Sequence, residues 1–281
     1  MEPEIKHREN IKDFDMQTDK LSFAINKHFA NVKFIFRKGQ FRFEFSHLLN
    51  DFDAVRKDFE TENVYPFLRK EKEKNICILA KIPQIKPAKN SLLILLFFLT
   101  FLTTTMAGYL FAYGLVEEGY LKNIWVGALS FSIGLLLILG SHELGHKIIS
   151  IKNDVPANGP YFIPIPPVIF IPVPPFIVPF FPLGTLGAII KIRSPMPDKN
   201  SQIRLGIAGP ITGIFFSIIV LVIGLKLSFI ATPALSGESI QFGESILLRF
   251  LQSIILKVPE GSSLYLHPLA FAGWVGLFIT F

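Results

Sequence analysis

Three runs of this chain carry too few charges for an ordinary soluble core. The clearest is Ile124 to Gly140, which holds no charged residue and stays largely apolar to Ser150. At 1.5 Å of rise per residue, about 20 such residues cross the hydrocarbon of a bilayer as a helix. Backbone N–H and C=O groups find no water there, so the run must satisfy them internally. Ser91–Gly114 and Ile203–Ile230 are companion runs, and another opens near Leu264 and is still apolar at Phe281. These runs predict an α-helical multi-pass membrane protein.

The charges collect elsewhere. Of 28 basic and 22 acidic residues, 18 and 14 lie within residues 1–90. That head reads as a small soluble α+β domain. Leu21, Ala24, Ile25 and Phe29 mark one side of a helix. Val32–Phe36 and Phe41–Phe45 alternate around Arg37-Lys38-Gly39-Gln40 as a hairpin. Leu48, Phe52, Val55 and Phe59 return to helical spacing. Val64–Leu68 and Ile76–Ile82 form two more strands. Residues 1–16 read as loosely attached. Asp51, Asp53, Asp58, Glu60 and Glu62 read as a solvated face, and His7, His28 and His47 as surface residues. Cys77, the only cysteine, sits in an apolar strand as a buried thiol and excludes an internal disulfide. Lys81, Lys86 and Lys89 with Pro83 and Pro87 form a basic linker. The division is then a cytoplasmic α+β domain with its linker at 1–90 and a membrane domain at 91–281. A net charge of +6 without a long basic run excludes a nucleic-acid partner.

The second apolar run ends in His142-Glu143-Leu144-Gly145-His146. Histidines four apart lie one turn above each other on a helix, so both reach one metal ion. A glutamate beside the first can act as base on a zinc-held water. Ionisable groups at such a depth are costly and mark function, which leaves two classes open: a peptidase, or a transporter burying Glu and His for proton relay. The spanning context favours peptide hydrolysis at or below the membrane surface. His267, before Pro268, reads as an interfacial histidine, with a metal ligand as the other reading.

Lysine and arginine counts set the orientation. The loop after the first run holds one basic residue, Lys122, whereas Lys147–Arg204 holds six. The head and the 147–204 region therefore face the cytoplasm, and the 231–263 loop faces out.

Residues 156–182 contain ten of the 20 prolines among Phe, Ile and Val. Proline excludes an ordinary helical span. A re-entrant segment over 156–190, folded across the mouth of the site, fits; an interfacial loop dipping into headgroups is the alternative. Its end, Gly184-Thr185-Leu186-Gly187, suits a strand edge that receives an extended substrate by strand addition. Gly206, Gly209 and Gly213 in the third run suit close packing of a helix that supports the metal-bearing one.

Taken with FLTTTMAG in the first run, SHELGH, GPYFIPIP…PLGTLGAIIKIRSPMPDKNSQIRLGIAGP and LHPLAFAGWVG, the chain resembles the site-2 protease family of intramembrane zinc metalloproteases. The branch it resembles is that of archaea, cyanobacteria and plastids. The resemblance implies a Zn2+ cofactor held by His142 and His146, with Glu143 as general base. It implies a zinc metalloendopeptidase with a membrane-protein substrate, cut within or near its spanning segment, and the lipid bilayer as its other partner. The family's third ligand is an aspartate in an L-D-G type motif after the A-G-W-V-G segment. No aspartate follows Asp198 here. The expectation is a fragment that stops before that motif; the alternative is a catalytically inactive membrane binding protein.

Overall fold

The computed structural model describes residues 18–37, 40–82, 86–167, 170–173, 176–179, 183–231, 246–256, 259 and 262–280. The N-terminal tail, the turn residues Lys38 and Gly39, the linker's Pro83, parts of the proline-rich insert and much of the 231–263 loop lie outside them. The chain divides into two compact units: Met1–Lys86 with Arg193–Asp198, and Pro87–Ile192 with Lys199–Phe281.

The first unit runs α1 (Thr18–His28), β1 (Lys33–Arg37), β2 (Gln40–Phe45), α2 (Phe52–Thr61), β3 (Val64–Glu71) and β4 (Lys74–Lys81). The strands form an antiparallel sheet in the order β1-β2-β4-β3. The period of two puts Phe41, Phe43 and Phe45 on one face. There they meet Leu21, Ile25 and Phe29 of the α1 region and Val55 and Phe59 of α2. Phe29 stands edge-on to Phe43 and to Phe45, with centroids 4.9 Å apart in both pairs. Cys77 is fully buried on this face, and burial pushes its thiol far above the ordinary range.

One surface assignment changes here. His28 is 1% exposed, because it lies three residues past Ile25 on the buried stripe of α1. Its Nε2 is 2.8 Å from Asp58 Oδ2 and its Nδ1 3.1 Å from Asn50 Nδ2. Asp58, read as part of a solvated face, also accepts from Lys27 Nζ at 2.6 Å. The buried guanidinium of Arg56 likewise draws on Glu60 at 3.1 Å and Asp53 at 3.6 Å.

The second unit has three helices long and apolar enough to cross a membrane: α3 (Asn90–Glu117), α4 (Ile124–Lys152) and α5 (Lys199–Lys226). Helix α4 starts where the Asn123 side chain accepts from the Trp125 amide at 2.9 Å. It ends where Val155 N donates back to the Ser150 carbonyl. It is the middle helix: 56% of its most apolar window is buried, against 22% and 28% for α3 and α5. The α3–α4 seam is tied by a buried hydroxyl pair, Thr104 Oγ1 to Ser132 Oγ at 2.6 Å.

The last run departs from its sequence boundaries. Leu264 belongs to a short strand, β10 (Ser263–Tyr265), paired antiparallel with β9 (Phe229–Ala231). That pairing also takes Phe229 and Ile230 out of the third run, so α5 stops at Lys226. A helix the sequence reading lacks, α6 (Ile246–Ile255), lies between the two strands. The next, α7 (Pro268–Ile279), begins after His267, whose Nδ1 accepts from the Leu269 amide at 3.2 Å.

The described part of the insert between α4 and α5 holds four strands. β5 (Ala157–Pro164) pairs antiparallel with β8 (Thr185–Ile192), and β6 (Phe170–Val173) with β7 (Phe176–Pro179). In a two-stranded ribbon each strand is an edge, so a proline can turn its missing donor outward. Among the described residues β8 pairs with no strand other than β5.

Candidate metal centre

The last turns of α4 bring His142, Glu143 and His146 together, with one potential ligand atom from each inside a 4.8 Å group. The spacing is the cause: four residues cover one turn and a tenth, so both rings leave the same face. The two Nε2 atoms are 3.1 Å apart. Two nitrogens at about 2.0–2.1 Å from a tetrahedral zinc stand roughly 3.3 Å from each other. The pair therefore fits one ion.

The tautomer fits as well. His146 Nδ1 lies 2.7 Å from the Leu205 carbonyl oxygen of α5. Only an Nδ1–H can donate to that carbonyl, which leaves the Nε2 lone pair for a metal. His142 Nδ1 is buried with no hydrogen-bond partner among the described residues. Glu143 is 8% exposed, and the Ile190 backbone amide of β8 is a hydrogen-bond partner of its carboxylate. No other His, Cys, Asp or Glu joins the group among the described residues.

Helix α5 makes room for these rings. A β-carbon at Gly209 would overlap His146 Nε2 and lie 2.5 Å from its Cδ2 and Cε1. One at Gly213 would come within 3.0 Å of His142 Nδ1. The two glycines read as helix-packing residues thus also face the metal-binding rings.

The four residues read as a substrate edge divide in two. Gly184, at φ +78°, packs so closely on α3 that a β-carbon would overlap the Thr103 carbonyl oxygen. Thr103 Oγ1 donates to the Gly184 carbonyl at 2.6 Å. Thr185 is buried and donates to the Ile163 carbonyl at 2.9 Å. Leu186 is 64% exposed, and nothing crowds Gly187, at φ +107°. So Gly184 and Thr185 anchor the strand and Leu186 is presented, while the Gly187 amide donates to Thr185 Oγ1 at 3.0 Å.

His267 is not part of the group. It caps one end of α7, whereas the Thr280 side chain at the other end abuts Gly213. The 12-residue helix between them sets those ends about 20 Å apart. Sequence reasoning missed Lys147, whose Nζ donates to the Gly159 carbonyl at 2.6 Å and ties β5 to the turn carrying His146. Its position four residues after Glu143 was the available sign. It also missed Thr103, quoted only within FLTTTMAG.

The profile of Peptidase family M50 matches residues 130–281, more than half the chain. The chain belongs to this family, that of the site-2 proteases. It is 32% identical over 158 residues to "Probable zinc metalloprotease EGY1, chloroplastic" of Arabidopsis thaliana, covering 54% of this chain and 26% of that protein. It is 31% identical over 160 residues to the protein of the same name from Oryza sativa subsp. japonica, covering 54% and 25%. "Probable zinc metalloprotease EGY2, chloroplastic" of Arabidopsis thaliana matches at 27% over 146 residues, covering 51% and 24%. The matched part of the chain thus spans about a quarter of the length of these relatives. No solved structure matches.

Proposed function

We propose that this site-2 protease chain carries the zinc-binding and substrate-presenting parts of an intramembrane endopeptidase. Its substrate is a membrane protein, cut within or near a spanning segment. The observation that carries this reading is the pair of histidine Nε2 atoms 3.1 Å apart, beside a buried carboxylate, on the middle helix of an apolar bundle. His142 and His146 would hold the ion. An aspartate, by the resemblance to the family, would complete the ligand set.

Zinc, when bound, supplies a Lewis acid that acidifies water and polarises a peptide carbonyl. Glu143 accepts a proton from the attacking water on its carboxylate and returns it to the departing amine nitrogen. The Leu205 carbonyl holds His146 in one tautomer throughout. A helical substrate hides its peptide carbonyls in its own hydrogen bonds, so it must unwind to be cut. That β8 pairs with no strand but β5 among the described residues supports that step, since strand addition replaces the lost helical bonds with main-chain bonds. Leu186 lines the receiving edge beside Gly187, whose backbone Thr185 Oγ1 holds, and Gly184 and Thr185 keep the strand in place.

The orientation proposed is N-terminal unit inward. Residues 1–86 and 193–198 share one compact unit, while two helices of spanning length lie between them in sequence. An even number of crossings supports one side for both, and the six basic residues of Lys147–Arg204 point to the cytoplasm.

The test is Glu143→Gln in the full-length protein. Zinc content stays at the wild-type level while cleavage of a membrane substrate falls by about 10²–10⁴, the usual worth of a general base. His142→Ala and His146→Ala lose zinc as well. Wild-type cleavage by Glu143→Gln would end this reading.

A further inference from the structure

We propose that helix α5 sets the tautomer of His146, and that Gly209 is the positioning residue that lets it do so. Three observations meet at this point. The Leu205 carbonyl reaches His146 Nδ1 at 2.7 Å, although the two residues lie 59 positions apart. Gly209 is one helical turn beyond Leu205, and any β-carbon there would occupy the space of the imidazole. His142, the other ring, has its Nδ1 buried without a partner.

The consequence is an unequal pair. A neutral imidazole carries its proton on one nitrogen only, and the hydrogen bond made by one nitrogen decides the role of the other. For His146 the carbonyl admits a single answer: Nδ1–H donates and Nε2 keeps its lone pair. For His142 the neighbouring ring imposes the opposite answer: its Nδ1 has no partner among the described residues and its Nε2 lies 3.1 Å from the His146 Nε2 lone pair, so Nε2–H donates to His146. With the metal absent, His146 is therefore prepared for it and His142 is not. A side chain at 209 would displace the ring from the carbonyl and leave both rings unprepared. The role is indirect, because Gly209 acts through the position of His146.

The proposal takes its purpose from the zinc-peptidase reading, but its test does not depend on that reading. The zinc-free chain in lipid bilayers is labelled with 15N-histidine. Nitrogen shifts are recorded well above the ordinary histidine pKa of about 6.5, where the rings are neutral. A His146→Gln difference spectrum assigns the signals among the six histidines. The expected result is a protonated Nδ1 and a bare Nε2 on His146, and a protonated Nε2 on His142. Gly209→Ala mixes the His146 tautomers and lowers zinc affinity by about 10- to 100-fold, as loss of an orienting partner does elsewhere. A protonated Nε2 on wild-type His146 overturns the proposal, as does an unchanged single tautomer in folded Gly209→Ala. If Gly209→Ala does not fold, the wild-type spectrum alone decides. A wrong tautomer together with lost cleavage in Glu143→Gln refutes the role of Gly209 and leaves the peptidase reading standing.

Discussion

Lys147 is the side chain whose loss should separate metal binding from substrate handling. Its ammonium spends its charge on the Gly159 carbonyl at 2.6 Å, so strand β5 hangs from the turn that carries His146. Lys147→Met keeps the stem and drops the bond. A hydrogen bond to a charged group is worth about 1.5–3 kcal/mol, so kcat/KM toward an extended membrane substrate should fall by about tenfold or more. Zinc content should not change, and the two assays together check this. In the N-terminal unit Asp58 makes the contrasting case. Its hydrogen bonds to Lys27 and His28 hold its carboxyl below the ordinary 3.8. A folded-state pKa below the unfolded one means stabilisation that is present above the ordinary carboxylate value and lost as pH falls through the folded one. Amide exchange in α1 should therefore quicken on acidification below pH 3.8, and Asp58→Asn should remove the acid limb. An unaltered pH profile in Asp58→Asn would show that the contact contributes nothing to folding.

At the scale of elements, the spanning helices were legible because length and apolarity are additive along a chain. Their ends were not. Leu264 is as apolar as a span requires, yet β10 pairs with β9 and delays α7 to Pro268, a long-range choice that no local window contains. The metal-binding turn was legible because His142 and His146 sit one turn apart on one helix. The part played by Gly209 was not, since a glycine has no chemistry of its own and its target ring lies on another helix. His28 was misread for a related reason: a polar residue on a buried stripe looks exposed until its partner, here Asp58, is in view. Two packing predictions follow from the helix contacts. At Gly224 a β-carbon would overlap the Ala270 nitrogen, so α5 and α7 meet backbone to backbone. Gly224→Leu must part them, at a cost of about 1–3 kcal/mol or more. Thr104→Val removes the buried hydroxyl pair with Ser132 and should cost about 0.6–1.7 kcal/mol, the range of interhelical hydrogen bonds in bilayers. Reversible unfolding in detergent measures both, and a neutral Gly224→Leu would contradict the close approach.

At the scale of the whole molecule, the chain returns to its N-terminal unit between β8 and α5. Arg193–Asp198 joins β8 to the helix that crowds the His142 and His146 rings, and it packs as part of the first unit. The Tyr65 hydroxyl donates to the Met196 carbonyl at 3.0 Å. Burial pushes the Tyr65 pKa up to about 12, so the group remains a donor across the physiological range. Tyr65→Phe deletes this one bond and little else. A neutral hydrogen bond of about 1 kcal/mol corresponds to roughly a fivefold change in how often the segment opens. Tryptic cleavage after Arg193 should accelerate by about that factor in Tyr65→Phe, while zinc content stays the same. The same digestion reads the orientation. With the N-terminal unit inward, Arg193 is cut in vesicles that display the cytoplasmic face and spared in sealed vesicles of the opposite sense. Cleavage confined to the opposite vesicles would invert the topology, and with it the side on which the substrate is cut.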